Sequence, residues 1–241
     1  MKKKIALGIT CLVTVWLGIS HFISRHEEQG RMLVTDAYYG DLLSVKDDVE
    51  AGAPLDYEFF FQDDERQYDG VWFNALHAAA SGGNEDVINF LLDQGLNINT
   101  RTPEGWTPLF IATRDGRSEA AKLLIYRGAD LNAASDQGAS PLLMVLTQSF
   151  PTEKERQDLL YYLLRRGADA NQADRHGFSP LYYAMISGRP EIVDILLEYN
   201  ANPQDPSLQK AQKHLATIPA EKAKKITALL DKAVKKKTAK Q

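Results

Sequence analysis

The chain repeats itself. Aligned on glycines, GWTPLFIATRDGRSEAAKLLIYRGADLNAASDQ from Gly105, GASPLLMVLTQSFPTEKERQDLLYYLLRRGADANQADRH from Gly138 and GFSPLYYAMISGRPEIVDILLEYNANPQ from Gly177 share one pattern, at offsets of 33 and 39 residues. NALHAAASGGNEDVINFLLDQGLNINTRTPE, from Asn74, is another copy. LVTDAYYGDLLSVKDDVEAGAPLD, from Leu33 to Asp56, is a degenerate first one. Periods of this size mark stacked units, and they constrain the fold more than any single motif can.

Each copy reads as two short helices. Thr107, Ser140 and Ser179 precede Pro108, Pro141 and Pro180. A hydroxyl cap followed by proline in the first turn starts a helix. Leu109, Ala112 and Thr113 continue at helical spacing, and Gly116 ends the run. Ala120, Leu123 and Leu124 line a second helix, which Gly128 stops before the chain turns out into a finger. One such unit cannot bury its apolar face alone, so neighbours must stack and the ends must be capped.

TPLF, SPLL, SPLY and NALH, with LLIYRGADLN, LLRRGADAN and LLDQGLNIN, closely resemble the tetrapeptide and second-helix ending of the ankyrin repeat. The resemblance covers about residues 33–206. It implies an all-α solenoid of helix-turn-helix units with hairpin fingers, about five repeats in all, the first one degenerate. Residues 207–241 form a helical cap and basic tail, with helices expected over Pro206–Leu215 and Pro219–Val234 and a frayed KKKTAKQ end. The sequence departs from the family in three places: the first copy lacks the tetrapeptide, Ala75 replaces its proline in the second, and the fourth is longer by six residues near QSFPTEKE.

Before the repeats, MKKK leads into residues 5–23, which contain no Asp, Glu, Lys or Arg. Residues 1–25 therefore read as a transmembrane anchor or a secretory signal. The lysines put the amino end inside and the body outside. Gly18 and Ser20 offer a cleavage pair, but the apolar run continues through Phe22 and Ile23. The short start points to a bacterial inner membrane, with the body in the periplasm either attached or released.

The net charge of −4 is unevenly spread: residues 1–4 hold three lysines, and ten lysines face two acids from Ser207 on, which leaves the middle near −15. Such a body repels nucleic acid and attracts a basic protein. Cys11 is the only cysteine, so neither an internal disulfide nor a thiolate metal site is available. No sequence pattern for a metal, a phosphate loop or a nucleophile elbow is present. We therefore expect no catalysis, cofactor or small-molecule substrate. His77 takes the last place of the tetrapeptide, a structural position in the family.

Family partners touch the finger tips and the inner face of each first helix. By that resemblance the residue before each cap, Phe73, Trp106, Ala139 and Phe178, lines a groove flanked by Arg101, Glu104, Asp136, Gln137, Arg175 and His176. Arg114 and Asp115 end a first helix on the same side. Packing between fingers is the other reading of the rings. The segment LDYEFFFQDDERQYDGVWF, residues 55–73, adds about ten residues to one finger and sets seven aromatics among six acids and Arg66. It either folds back on the first repeat or is a contact arm for a basic partner.

The resulting expectation is a non-enzymatic protein-binding module on the periplasmic side, an inhibitor or immunity protein for a toxin delivered there. An envelope scaffold or stress-accessory factor is the alternative.

Overall fold

The computed structural model describes residues 23–61 and 70–239. The apolar leader lies outside the described residues except for its end, Ile23. Among the described residues no helix is long and apolar enough to cross a membrane. The chain divides into two compact units at Leu96/Asn97, inside the segment that reads from sequence as one body.

In the first unit, helix α1 covers 23–39 and α2 covers Leu42–Glu50. Strands β1 (Phe59–Phe61) and β2 (Val71–Phe73) form an antiparallel hairpin, followed by α3 (Ala75–Gly82) and α4 (Glu85–Asp93). Leu33, Val34, Val45, Leu76, Ile88 and Leu91 are buried at its core. Asp41 caps α2 by accepting from the Leu43 and Ser44 amides. Asn74 replaces the hydroxyl cap of the later copies: it accepts from the Leu76 and His77 amides, and His77 Nδ1 accepts the Asn74 N–H in return. This box explains how α3 starts without a proline. Asn84 Nδ2 donates to Ala37 O and Tyr38 O at 2.8 and 2.7 Å, tying α4 to the end of α1.

The long finger between the first and second copies is a paired β-hairpin. Phe59 pairs with Phe73, Phe60 with Trp72 and Phe61 with Val71. Successive strand residues face opposite sides. Val71 and Phe73 are accordingly buried, while Trp72 is 44% exposed. Residues 62–69, which join the strands, lie outside the described residues.

The second unit contains three helix pairs: α5 (Pro108–Arg114) with α6 (Ser118–Tyr126), α7 (Pro141–Thr147) with α8 (Glu153–Arg166), and α9 (Pro180–Ile186) with α10 (Pro190–Glu198). Thr107, Ser140 and Ser179 cap the first helix of each pair by accepting from the Phe110, Leu143 and Tyr182 amides. Leu109, Ile111, Leu124, Leu142, Leu159, Leu163, Ile192 and Leu196 fill the core between pairs.

Hydrogen bonds at the far turns join successive copies. Asn99 Oδ1 accepts the Asp130 amide at 2.9 Å, Asn132 Oδ1 accepts that of Asp169 at 2.9 Å, and Asn171 Oδ1 accepts that of Asn202 at 2.7 Å. Asp130 and Asp169 also bond their own turns, accepting from the Asn132 and Asn171 amides.

The extra residues of the fourth copy lie largely in helix α8, which has 14 residues against 9 in α6. The longer helix brings Glu153 and Arg156 to the end of α7. Arg156 is 4% exposed, donates to Val145 O and Glu153, and lies over the Phe150 ring. Arg189 donates to the next carbonyl, Leu146 O, at 3.1 Å and shares Glu153. Two guanidinium groups thus satisfy carbonyls that a helix end otherwise leaves open. Burial, reinforced by the Arg189 charge and opposed by Glu153, pulls the Arg156 pKa below the ordinary arginine value.

The cap comprises α11 (Leu208–His214), a 3₁₀ turn (Leu215–Thr217) and α12 (Ala220–Thr238). Leu208, Ala211 and Ile226 are buried beneath it, and Lys225 reaches Glu191 at 2.8 Å. Helix α12 continues through Lys235, Lys236 and Lys237, so that stretch is helical where fraying was expected.

Candidate protein-interaction surface

Each finger of the second unit is a five-residue turn built on one plan. The Thr102, Ser135 and Asp174 amides donate to the Trp106, Ala139 and Phe178 carbonyls, and the side chain of the first residue accepts the amide of the fifth. The fourth residue is Gly105, Gly138 or Gly177, with φ of +78, +76 and +77°. Only glycine adopts that region freely.

Adjacent fingers are joined through their backbones. Asp136 N–H donates to Glu104 O at 3.0 Å and Arg175 N–H to Gln137 O at 3.1 Å. Arg101 Nη2 reaches Ala134 O at 2.6 Å. A Cβ at Gly138 would lie 2.6 Å from the Arg175 nitrogen, so the close approach also requires glycine there. The result is a comb whose tips keep a fixed spacing.

Trp106 and Phe178 are half-buried on this comb. Trp106 stacks on Phe110 with centroids 5.8 Å apart, and the Arg114 guanidinium lies 4.4 Å from the indole centroid. Arg114 also pairs with Asp115 at 3.0 Å. Phe178 stacks on Tyr182 at 4.3 Å, with Lys210 5.0 Å from its centroid. Each ring rests on its own first helix rather than between fingers and stays partly exposed.

Arg101, Asp136, Gln137, Arg175 and His176 are exposed, Glu104 less so. Asp174 anchors its finger by accepting the Tyr183 hydroxyl at 2.6 Å and the His176 and Phe178 amides. Burial opposes ionisation of Asp174, but those hydrogen bonds outweigh it and hold its pKa below the ordinary value. Burial and the Asp174 bond push Tyr183 the other way. The surface is polar, mixed in charge and anchored by rings, a composition suited to gripping another protein. Among the described residues no His, Cys, Asp and Glu cluster could hold a metal ion.

A family model described as "Ankyrin repeats (3 copies)" matches residues 49–135 and 137–237, most of the chain. The chain belongs to the ankyrin-repeat family. Ankyrin repeats are protein-interaction modules, and the chain is one in this coarse sense. Protein phosphatase 1 regulatory subunit 27 of Homo sapiens and its Mus musculus counterpart are each 45% identical over 42 residues, 17% of this chain and 27% of the relative. The match spans about a quarter of those curated relatives' length.

Phe73 departs from the expected ankyrin groove set. It is 0% exposed and stacks on His77 at 5.9 Å, so it offers no surface to a partner. The strand alternation that turns it inward turns Trp72 out. Arg114 and Asp115 are occupied by each other, with side chains 13% and 8% exposed, and act as a support for Trp106. Trp72 and Phe60 are exposed rings that the ankyrin pattern does not assign. VWF is apolar throughout, so only the strand pairing shows which ring turns out. Tyr161 of α8 and Tyr199, just after α10, form an edge-on pair at 6.2 Å that no motif marks.

Proposed function

We propose that the protein binds a folded protein partner stoichiometrically on the finger comb of its second unit, without turnover, and that it is an immunity or inhibitor protein of the bacterial periplasm. The observation that carries the binding site is the backbone joining of the fingers, Asp136 to Glu104 and Arg175 to Gln137. A comb fixed in this way pays little ordering entropy on contact, so Trp106 and Phe178 serve as ready anchors. Arg101, Arg175 and His176 form one part of its rim; Glu104, Asp136 and Gln137 form the other. The leader, residues 5–23, supports a body held outside the inner membrane. The acidic middle favours a basic partner. The phosphatase-subunit match supports the binding class alone.

The test is co-purification of the tagged full chain from envelope extract, compared with Trp106→Ala and Phe178→Ala. We expect one stable protein partner, lost in the double variant while its circular dichroism is retained. Recovery of no partner, or equal recovery with the double variant, contradicts the site. A periplasmic reporter fused after Gln241 tests the location, and a reporter active only in the cytoplasm contradicts it. Protection of cells from the recovered partner tests the immunity role.

A further inference from the structure

The hairpin of the first unit carries chemistry that the repeat does not use. Among the described residues β1 pairs with β2 in a two-stranded sheet and with no other strand, so one edge of β1 lacks a strand partner. An open edge is a template for pairing, and proteins usually blunt it with lysine, proline or a charge. Phe59–Phe61 contains none of these.

That edge runs between two unlike faces. On one, the cross-strand rings of Phe60 and Trp72 lie 5.5 Å apart and are 43% and 44% exposed. Gly70, at φ +78°, leaves the space that the Phe60 ring occupies; a Cβ there would overlap it. On the other, a groove of about 350 Å³ opens between α1 and the start of β1, lined by Ser24, Glu27, Glu28, Arg31, Tyr57 and Phe59. Tyr57 holds this position because its ring packs on Gly30, where any side chain would displace it. Charge selects the visitor: the groove sets two glutamates against one arginine, and the exposed acids Asp56 and Glu58 flank Tyr57 beside it.

We propose that β1 accepts an extended basic segment of a partner protein by strand addition. Backbone hydrogen bonds along the free edge supply affinity, and alternate side chains address the two faces. Lysine or arginine enters the groove, its cation beside Glu27 and Glu28 and its stem against Tyr57 and Phe59. The intervening apolar residues cover Phe60 and Trp72. The recognised sequence therefore alternates basic and apolar residues. This surface lies in a different unit from the finger comb, so the proposal stands or falls separately from it.

The test is a titration of the full chain in detergent with a short fluorescein-labelled peptide of alternating lysine and valine, followed by anisotropy at two salt concentrations. We expect saturable binding that Trp72→Ala weakens about tenfold or more. The combined Glu27→Gln and Glu28→Gln variant should weaken it and flatten its salt dependence, and Trp106→Ala should leave it unchanged. The same peptide methylated at every backbone amide should not bind. No binding by the parent peptide, equal binding by the methylated one, or indifference to both hairpin and glutamate variants overturns the proposal. If Trp72→Ala loses its circular dichroism signal, the glutamate variant carries the test. Sedimentation without peptide covers the remaining occupant: a dimer that Trp72→Ala abolishes would make a second copy the ligand and overturn it.

Discussion

The carboxyl groups of Asp36 in α1 and Asp48 in α2 are close enough to share a proton. Without that proton the buried Oδ2 of Asp48 has no donor. Burial, then the charge and hydrogen bond of Asp36 and the charge of Asp47, raise the Asp48 pKa from 3.8 to about 6. Burial and the charge of Asp41 also raise Asp36, against the opposing bond from Asp48.

A raised carboxyl pKa means that the folded state holds its proton more tightly than the unfolded chain. Stability of the first unit therefore falls as pH rises from 3.8 through about 6 and levels off above it. Asp48→Asn should flatten that slope and raise the melting temperature at neutral pH. Thermal melts of both proteins across this range check the prediction; a parallel slope in the variant would contradict it.

Asn132→Ala removes the acceptor of the Asp169 amide. The expected cost is about 0.5–1 kcal/mol, because the bond is exposed and water can replace the lost acceptor. Urea unfolding measures it. Hydrogen exchange should show the Asp169 amide quickening more than amides inside α9.

Arg156→Met leaves Val145 O without its donor and Glu153 with Arg189 alone. The loss is expected to be about 2–3 kcal/mol, because the broken bonds are charge-assisted. Arg156→Lys should recover only part of it, since one ammonium cannot reproduce the forked geometry. The same urea experiment ranks the three proteins.

Gly138→Ala and Gly128→Ala both place a side chain at positive φ, +76 and +93°. Each should cost about 1 kcal/mol or more for the backbone alone. A Cβ at Gly138 also meets the Arg175 nitrogen, whereas one at Gly128 meets nothing within 4 Å. Gly138→Ala should therefore destabilise more and also weaken capture of the partner; equal melting temperatures would contradict this.

The helix pairs were legible because their starts are written locally. Thr107, Ser140 and Ser179 each need only the amide three residues on, and the proline beside them fixes the first turn. The strand pairing inside the first finger was not legible. Phe59–Phe61 is one apolar run, and its two faces appear only when Trp72 and Val71 pair with it. For the same reason Phe73 reads as a groove ring when it belongs to the core. QSFPTEKE reads as an insertion between helices, because the reach of Arg156 to the α7 carbonyl depends on a distant helix end. At the comb, Trp106 and Phe178 followed from position in the copy. The joining of Asp136 to Glu104 involves backbone atoms, and its trace in the sequence, the glycine at each finger tip, reads equally as an ordinary turn glycine.

The bonds from Asn99, Asn132 and Asn171 close over sequence separations of 31, 37 and 31 residues with nearly the same length. Each rung is anchored in a turn and is indifferent to how much helix lies between it and the next. A lineage of such chains is free to stretch a helix, or to splice in another whole copy, while the seam along that side stays in register.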